Sequence, residues 1–171
     1  LRGGGSQSAR LTLGLVAAAS QTRQLLSERG IQVRAHLYSV GDSKSRSLLD
    51  LNQAYETEKE SMQRLNCLDP EASEIFSSLI EGSRRELDSL GSSVECIVSG
   101  LPIGIGEPWF DGIEPALARA MMAIPGARAV EFGRGMHASR MKGSEHNDSW
   151  TLENDHPTPE PSAGNSPDGA L

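Results

Sequence analysis

Aromatic residues are scarce in this chain of 171 residues, at 4% of the total, and hydrophobic residues as a whole reach only 37%. A core built from this composition has to rely on leucine, isoleucine, valine and alanine. The length is that of one domain of ordinary size. We therefore expect one core, and a thin one.

The chain also has no long apolar run, less positive than negative charge and only two cysteines. No stretch approaches the roughly 20 apolar residues that a membrane-spanning helix needs, so we expect no membrane partner. The formal net charge of −7 at pH 7 argues against nucleic acid as a partner. Cys67 and Cys96 lack the spacing of metal ligands, and we predict that both are buried reduced thiols, as is usual in a cytosolic protein.

A glycine-rich turn at 3–5 precedes Ser8 and Arg10. Glycine lets the backbone turn tightly and approach a ligand closely. The small residues that follow predict a helix over 12–26, with the hydroxyl of Ser8 as its N-cap. The open amide groups of such a helix end favour an anion, and the guanidinium of Arg10 suits phosphate or carboxylate. Helix starts of the same kind also occur where nothing binds.

Alternating apolar and polar residues over 31–40 predict a strand with one buried face, entered from a helix C-cap at Gly30. His36 falls on the polar face of this strand. We expect it to be a surface histidine and not a ligand. The charged stretch over 48–65 predicts a surface excursion that is helical in part.

The next helix carries clear boundary signals. Asp69 is an N-cap candidate, Pro70 suits the first helical position, and Gly91 is the expected end. An apolar stripe at helical spacing consists of Ile75, Phe76, Leu79, Ile80 and Leu87. Charged residues on the opposite side predict a solvated face, and a strand over 94–99 follows.

The second half of the chain is rich in glycine and proline. These residues bar regular structure over 100–111 and predict a shaped loop. We predict a short helix that Pro115 opens and that the pair at 125–126 stops, and then a short strand over 129–132. Polar residues, proline and glycine dominate 143–169, which we interpret as a long polar loop.

Three blocks of sequence follow one another in a fixed order. The first is G-x-x-S-A-R-x-T at 5–12, and the second is GLPIGIGEPWFD at 100–111. The third consists of MAIP at 122–125, VEFG at 130–133 and GSE at 143–145. In content, order and spacing these blocks resemble the chorismate synthase family. The resemblance covers the middle portion of the family's usual length.

The resemblance implies an α+β fold, a layered sandwich of helices packed against antiparallel sheets, present here as a single partial domain over 1–171. It implies a cytoplasmic carbon–oxygen lyase of the shikimate pathway, which leads to the aromatic amino acids. In the family, an anti-1,4-elimination of phosphate converts 5-enolpyruvylshikimate 3-phosphate to chorismate. The reaction requires reduced FMN, which supplies electron density that helps phosphate to leave. The family assembles as homotetramers.

The resemblance also assigns binding roles. Substrate-binding positions are Ser8 and Arg10, and cofactor-binding positions are Ser6, Gln7, Ser8, Pro125 and Gly126. The family usually has Arg-Ser-Ser where this chain has Ser6, Gln7 and Ser8, and the change removes one positive charge. The family often has Asn-Ala at 125–126, and Pro125 cannot donate an N–H.

Catalytic groups are not assigned within this sequence. The family's two histidine blocks, Gly-Glu-Ser-His-Gly and Arg-Pro-Gly-His, do not occur in it. We therefore predict that this chain alone is inactive. The carboxylates of Glu107, Asp111 and Glu131 have no spacing that favours acid–base chemistry, and we expect structural roles for them.

Two further interpretations concern the kind of site. His137, His146 and His156 match no zinc spacing, and we predict no metal site. The alternative to an enzyme is a catalytically degraded relative that acts only as a flavin- or anion-binding module. The changes at Gln7 and Pro125 favour that alternative.

Overall fold

Helices and antiparallel strands make up the part of the chain that the computed structural model describes, which is residues 4–48, 65–102, 104–146, 150–153 and 156–159. The chain groups into a first unit, Leu1–Leu25 with Leu101–Leu171, and a second unit, Leu26–Gly100. Most of the predicted excursion over 48–65 and the end of the predicted loop over 143–169 lie outside the described residues.

The regular elements follow one another along the chain. They are helix α1 (Leu13–Glu28), strands β1 (Gln32–Val40) and β2 (Ser43–Lys44), helix α2 (Pro70–Arg85), strand β3 (Ser92–Ser99), helices α3 (Ile113–Met122) and α4 (Gly143–His146), and strands β4 (Trp150–Glu153) and β5 (His156–Pro159). Short 3-10 helices cover Gly5–Gln7, Ala9–Thr12, Trp109–Asp111 and Gly135–Arg140. Helices beside an antiparallel sheet confirm the predicted α+β class.

Helix α1 ends at the glycine that the sequence indicates. Gly30 has a φ of +78°, and its N–H donates to the carbonyl of Ser27 over 2.9 Å. The N–H of Ile31 donates to the carbonyl of Leu26, also over 2.9 Å. These two bonds form the Schellman arrangement of a helix C-terminus. The predicted C-cap is confirmed, and β1 follows directly.

Strand β1 lies at the centre of a three-stranded antiparallel sheet in the order β2-β1-β3. Its register against β3 shifts between Leu37 and Ser39, so that Tyr38 is an extra residue in the ladder. A one-residue bulge exchanges the faces of a strand beyond it. Val40 therefore shares a face with Leu37, although strict alternation would put the two on opposite faces.

The buried residues of the second unit form two small clusters. One contains Val40, Cys67, Ala72 and Phe76, and the other contains Leu48 and Leu68 with the partly buried Ile97. The core is thin, as the composition predicts. Cys67 is buried as predicted, whereas Cys96 is exposed, so that the prediction of burial is wrong for the second thiol.

His36 is buried, with only 1% of its surface exposed, and the prediction of a surface histidine is wrong. It lies opposite Glu95 in the β1–β3 ladder, on the face predicted to be polar. The chain around Leu48 and Leu68 contacts this pair and covers it. Alternation identifies a polar face, but it gives no sign that distant loop residues cover that face.

Helix α2 begins as predicted. The side chain of Asp69 accepts the backbone N–H of Ala72 over 3.4 Å, and Pro70 occupies the first turn. The same carboxylate accepts the backbone N–H of Arg46 over 3.0 Å and the Nε–H of its guanidinium over 3.1 Å. One buried carboxylate therefore caps the helix and fixes the chain that leaves β2.

Helix α2 ends six residues before the predicted Gly91, at Arg85. Leu87 adopts the left-handed conformation, with a φ of +58°, and the N–H of Asp88 donates to the carbonyl of Ser83 over 3.0 Å. A leucine thus occupies the position that glycine usually takes at a helix C-terminus. Its side chain is 96% exposed, so it does not belong to the apolar stripe.

Replacing Leu87 with glycine is expected to raise the free energy of unfolding by about 0.5–1 kcal/mol. The left-handed conformation is costly for leucine, and an exposed side chain loses no packing when it is removed. Urea unfolding followed by circular dichroism at 222 nm measures the change. Leu90→Gly is the matched control, since Leu90 has no positive φ and is expected to lower stability. Destabilisation by both substitutions would contradict the strain at Leu87.

In the first unit, every side chain whose burial is described is exposed or only half-buried. Leu13 and Leu15 of α1 are 75% and 71% exposed. Helix α3 starts two residues before the predicted Pro115 and ends, as predicted, before the pair at 125–126. Helix α1 thus exposes large apolar side chains, and a helix that is apolar on most sides is typically found in the interior of a larger fold.

Two predictions for the second half of the chain need correction or addition. Residues 129–132 do not form a strand, because no described segment pairs with them, although Val130 and Phe132 are half-buried between exposed neighbours. Within 143–169, strands β4 and β5 pair as an antiparallel hairpin from Trp150 opposite Pro159 to Glu153 opposite His156. Composition does not reveal such pairing, which depends on contacts across strands.

Candidate functional site

The glycine-rich start of the chain forms a stepped entry into α1. Gly5 has a φ of +51° in the 3-10 helix Gly5–Gln7, and the N–H of Ser8 donates to its carbonyl over 3.2 Å. Ser8 is extended, with φ and ψ of −79° and 136°, and a second 3-10 helix, Ala9–Thr12, follows. The turn and the helix start that the sequence predicts are both present.

Ser8 caps this helix start. Its side-chain oxygen accepts the backbone N–H of Arg10 over 3.4 Å, and its carbonyl accepts the N–H of Leu11 over 3.2 Å. The predicted N-cap is confirmed, but these two amides are used within the chain and are not open to a ligand. The hydroxyl accepts with a lone pair and keeps its own hydrogen. Ser8 can therefore still donate to an anion.

Arg10 is exposed, and its guanidinium forms no hydrogen bond or ion pair with the residues that the structure describes. Acidic residues are absent from the first turns of both Ala9–Thr12 and α1. Helix starts favour acidic side chains because the amide end of a helix is positive. An arginine without an acidic neighbour in these turns concentrates positive charge within a molecule of negative net charge.

The pair at 125–126 forms a tight turn. The N–H of Ala127 donates to the carbonyl of Ile124 over 3.0 Å, and Gly126 has a φ of +92°. Proline followed by a glycine with positive φ is the pattern of a type II turn. Apart from Gly126 and its two chain neighbours, no heavy atom of the described residues lies within 4 Å of the position that a Cβ of Gly126 would occupy. A ligand can therefore approach the backbone of this turn closely.

The assigned binding positions divide into two segments of the same unit. Ser6, Gln7, Ser8 and Arg10 lie in the helix start, and Pro125 and Gly126 lie in the turn. Within the described part of the chain, no hydrogen bond or ion pair joins one segment to the other. The helix start presents the exposed side chain of Arg10 and the turn presents the backbone of Gly126, and these six residues form no catalytic constellation.

The loop over 100–111 is shaped by left-handed residues. Gly100, Gly104 and Gly106 have φ values of +77°, +85° and +105°. A Cβ at Gly100 would overlap the carbonyl oxygen of Gly30, so the backbone requires glycine there. Trp109 also has a positive φ of +69°, and both it and Phe110 are 84% exposed. The predicted shaped loop is confirmed over its described residues.

The carboxylates of Glu107, Asp111 and Glu131 are exposed and receive no hydrogen bond from the described residues. They supply no acid–base pair. Across the described ranges, no three histidine, cysteine, aspartate or glutamate side chains come together as a metal site would require. None of the described helices is long and apolar enough to cross a bilayer.

A buried polar pair was missed by the sequence analysis. Nε2 of His36 and Oε2 of Glu95 lie 3.2 Å apart, and Glu95 also accepts from Ser47 and from the backbone N–H of Leu48. The two members are separated by 59 residues in sequence. No local pattern links them, and only the pairing of β1 with β3 brings them together.

Comparisons with known proteins place the chain in a family. The profile of the family described as chorismate synthase matches residues 1–166. A chorismate synthase of Methanosarcina mazei is 41% identical over 154 residues, which are 89% of this chain and 41% of the relative. A chorismate synthase of Aeropyrum pernix is 44% identical over 150 residues, which are 86% of this chain and 39% of the relative.

A solved structure agrees with these relatives. The crystal structure of a chorismate synthase matches with a TM-score of 0.82 and 26% sequence identity, covering 96% of this chain and 52% of the solved chain. This chain therefore spans about two fifths of the length of the relatives and about half of the solved chain. The match over 1–166 and the shared fold establish that the chain belongs to the chorismate synthase family.

Proposed function

We propose that this chain is the central part of a chorismate synthase, a carbon–oxygen lyase acting on phosphates. The proposed reaction is the anti-1,4-elimination of phosphate from 5-enolpyruvylshikimate 3-phosphate, which gives chorismate in the shikimate pathway of aromatic amino acid biosynthesis. The observation that carries the proposal is the family match over 1–166, which includes the helix start with Ser8 and Arg10.

In this proposal Arg10 and Ser8 hold the charged groups of the substrate. The guanidinium is exposed and bears a permanent charge with a planar set of donors that suits phosphate and carboxylate. Beside the guanidinium, the hydroxyl of Ser8 keeps a hydrogen that it can donate to the substrate. The helix start adds the partial positive charge of its peptide groups. Together these groups would fix the substrate in one orientation and neutralise part of its charge.

Reduced FMN is the proposed cofactor, with Ser6, Gln7, Ser8, Pro125 and Gly126 as its contacts. The residues fit the group in backbone shape, since the turn at 125–126 leaves open space beside Gly126. Pro125 has no N–H, but the N–H of Gly126 forms no hydrogen bond with a described residue and can donate in its place. When bound, the flavin supplies the electron density that assists the departure of phosphate.

The proposal extends to the setting of the reaction. We place the enzyme in the cytoplasm and expect a homotetramer for the family-length protein. The apolar side chains of α1 are exposed, and a monomer rarely leaves such a surface open. We therefore expect other protein to cover α1. The 171-residue chain on its own is expected to be inactive, since it contains no proposed catalytic residue.

Replacing Arg10 with alanine is expected to weaken the binding of 5-enolpyruvylshikimate 3-phosphate by roughly 10- to 100-fold, which is the usual range for a hydrogen bond to a charged group. Isothermal titration of the chain with this compound measures the change. Arg23→Ala is the control. It removes an exposed arginine of α1, away from the helix start, and is expected to change the affinity less than twofold. With reduced FMN added, no chorismate is expected from any of these samples.

Equal losses for the two substitutions would contradict the role of Arg10, since they would reflect only the net charge of the chain. Formation of chorismate by the 171-residue chain would overturn its proposed inactivity. The alternative function, a module that binds flavin or another anion without chemistry, is tested in the family-length protein. Flavin binding without turnover there would favour the module.

A further inference from the structure

The pair formed by His36 and Glu95 is the centre of a polar network that is largely buried. His36 is 1% exposed, and the side chain of Glu95 is 24% exposed. Oε1 of Glu95 accepts the hydroxyl of Ser47 over 2.7 Å, and its Oε2 accepts the backbone N–H of Leu48 over 2.6 Å. Neither residue is part of the proposed reaction.

The hydrogen bonds fix the tautomer of His36. The backbone N–H of Leu68 donates to Nδ1 over 3.4 Å, so Nδ1 carries no hydrogen. The other ring nitrogen, Nε2, lies 3.2 Å from the carboxylate of Glu95, which can only accept when ionised. His36 is therefore neutral in this arrangement and donates from Nε2 to Glu95.

The network joins two distant stretches of chain to the same pair. The chain that leaves β2 is held at Ser47 and Leu48 through Glu95. The chain that enters α2 is held at Leu68 through His36, one residue before the helix cap. Leu48 and Leu68 are 3% and 0% exposed, and they pack against each other. We name this arrangement the His36–Glu95 clasp.

Protons act on the two halves of the clasp in different ways. A proton added to His36 must occupy Nδ1, where it meets the N–H of Leu68, and two donors cannot form a hydrogen bond. The bond from Nε2 to Glu95 survives that step and gains an ionic component. A proton added to Glu95 instead weakens the bonds from Ser47 and Leu48, because a neutral carboxyl is a poorer acceptor.

We propose that the clasp is a pH-sensitive device with two separate releases. A proton taken up by His36 at Nδ1 releases the Leu68 side. A proton taken up by Glu95 releases the Ser47 and Leu48 side. The other titratable or charged groups on the elements around His36 are Arg34, Tyr38, Arg46, Cys67, Asp69 and Cys96. The ring centroid of Tyr38 lies 6.3 Å from that of His36.

Amide hydrogen exchange on the intact chain tests the proposal, with each rate corrected for the intrinsic effect of pH. The pH is lowered from about 7.5 to about 3.5, and the protonation of His36 and Glu95 is followed by NMR in the same samples. The protection of the Leu68 amide is expected to fall at least tenfold as His36 takes up its proton, and that of Leu48 to fall as Glu95 takes up its own. His36→Asn places a side-chain oxygen where Nδ1 of the ring lies, so it keeps an acceptor for Leu68 but does not titrate, and its Leu68 protection is expected to stay constant over the same range. Glu95→Gln is expected to remove the Leu48 step.

Constant protection of Leu68 in the original chain while His36 takes up its proton would overturn the proposal. The same fall in His36→Asn would overturn it as well, since another group would then be responsible. The ring nitrogen shifts of His36 provide a second test that needs no variant. At pH 7.5 they are expected to report a hydrogen on Nε2 alone. A ring that is charged or protonated on Nδ1 would contradict the proposal.

Discussion

Phe76→Ala is expected to lower the free energy of unfolding by about 3–5 kcal/mol, the usual range for the removal of a buried phenylalanine ring. Phe76 is 0% exposed and lies in the cluster with Val40, Cys67 and Ala72. These are among the few buried residues of the second unit, so there is little surrounding core that could collapse into the space left by the ring.

The measurement is urea unfolding of the chain followed by circular dichroism at 222 nm. Leu79→Ala is the matched control on the same helix, since Leu79 is 37% exposed and its truncation is expected to cost about 1 kcal/mol or less. A cost for Phe76→Ala no larger than that of the control would mean that the helix and the sheet are held together elsewhere. Loss of all cooperative unfolding would agree with the prediction.

Asp69→Ala is expected to cost about 2–4 kcal/mol, because one carboxylate has two structural roles. It caps α2 at the N–H of Ala72, and loss of such a cap costs roughly 1 kcal/mol. It also accepts three hydrogen bonds from Arg46, and hydrogen bonds that involve charged groups contribute roughly 1.5–3 kcal/mol. The carboxylate is 8% exposed, whereas the side chain of Arg46 is 57% exposed.

Two variants test this prediction by the same unfolding measurement. Asp69→Asn retains an oxygen for the cap and is expected to lose less than Asp69→Ala. Asp88→Ala removes an exposed aspartate that accepts only the N–H of Ser89, and a change of about 0.5 kcal/mol or less is expected. A loss as small for Asp69→Ala as for Asp88→Ala would refute the double role.

The same carboxylate makes stability depend on pH. Burial by itself raises the pKa of Asp69, but hydrogen bonds from the side chain and backbone of Arg46 and from Ala72 outweigh it, and the pKa is lowered. The unfolded chain therefore takes up this proton first, near pH 3.9. The contribution of Asp69 is present above that pH and is lost as the pH falls through the lower folded value. Asp69→Ala should lack this part of the acid destabilisation.

Signals that act over a few residues could be predicted from the sequence. Asp69 and Pro70 mark the start of α2, Gly30 marks the end of α1, and Ser8 caps the entry into α1. Each depends on hydrogen bonds between near neighbours, so the sequence contains all the partners. The end of α2 was missed because a leucine takes the left-handed position that glycine usually fills.

The candidate site could be predicted to a similar extent. The block around Ser8 and Arg10 gave the positions, the turn and the cap, all of which are local. The predicted cap already uses one amide of the helix start, that of Arg10. That the amide of Leu11 is also used inside the chain could not be predicted, because competition between a ligand and the chain's own acceptors depends on atomic positions. The relation of this block to the turn at 125–126 is likewise not a property of either segment alone.

By itself, the sequence determined the family, the α+β class, the start of α2 and the end of α1, since blocks, composition and capping residues are read within short windows. Only the tertiary structure decided the burial of His36, the change of face at Tyr38 and the pairing of Trp150 with Pro159. Those features arise where strands and loops from distant parts of the chain meet. Whether a polar side chain faces water or a partner is fixed by what covers it, and no neighbour in sequence reveals the cover.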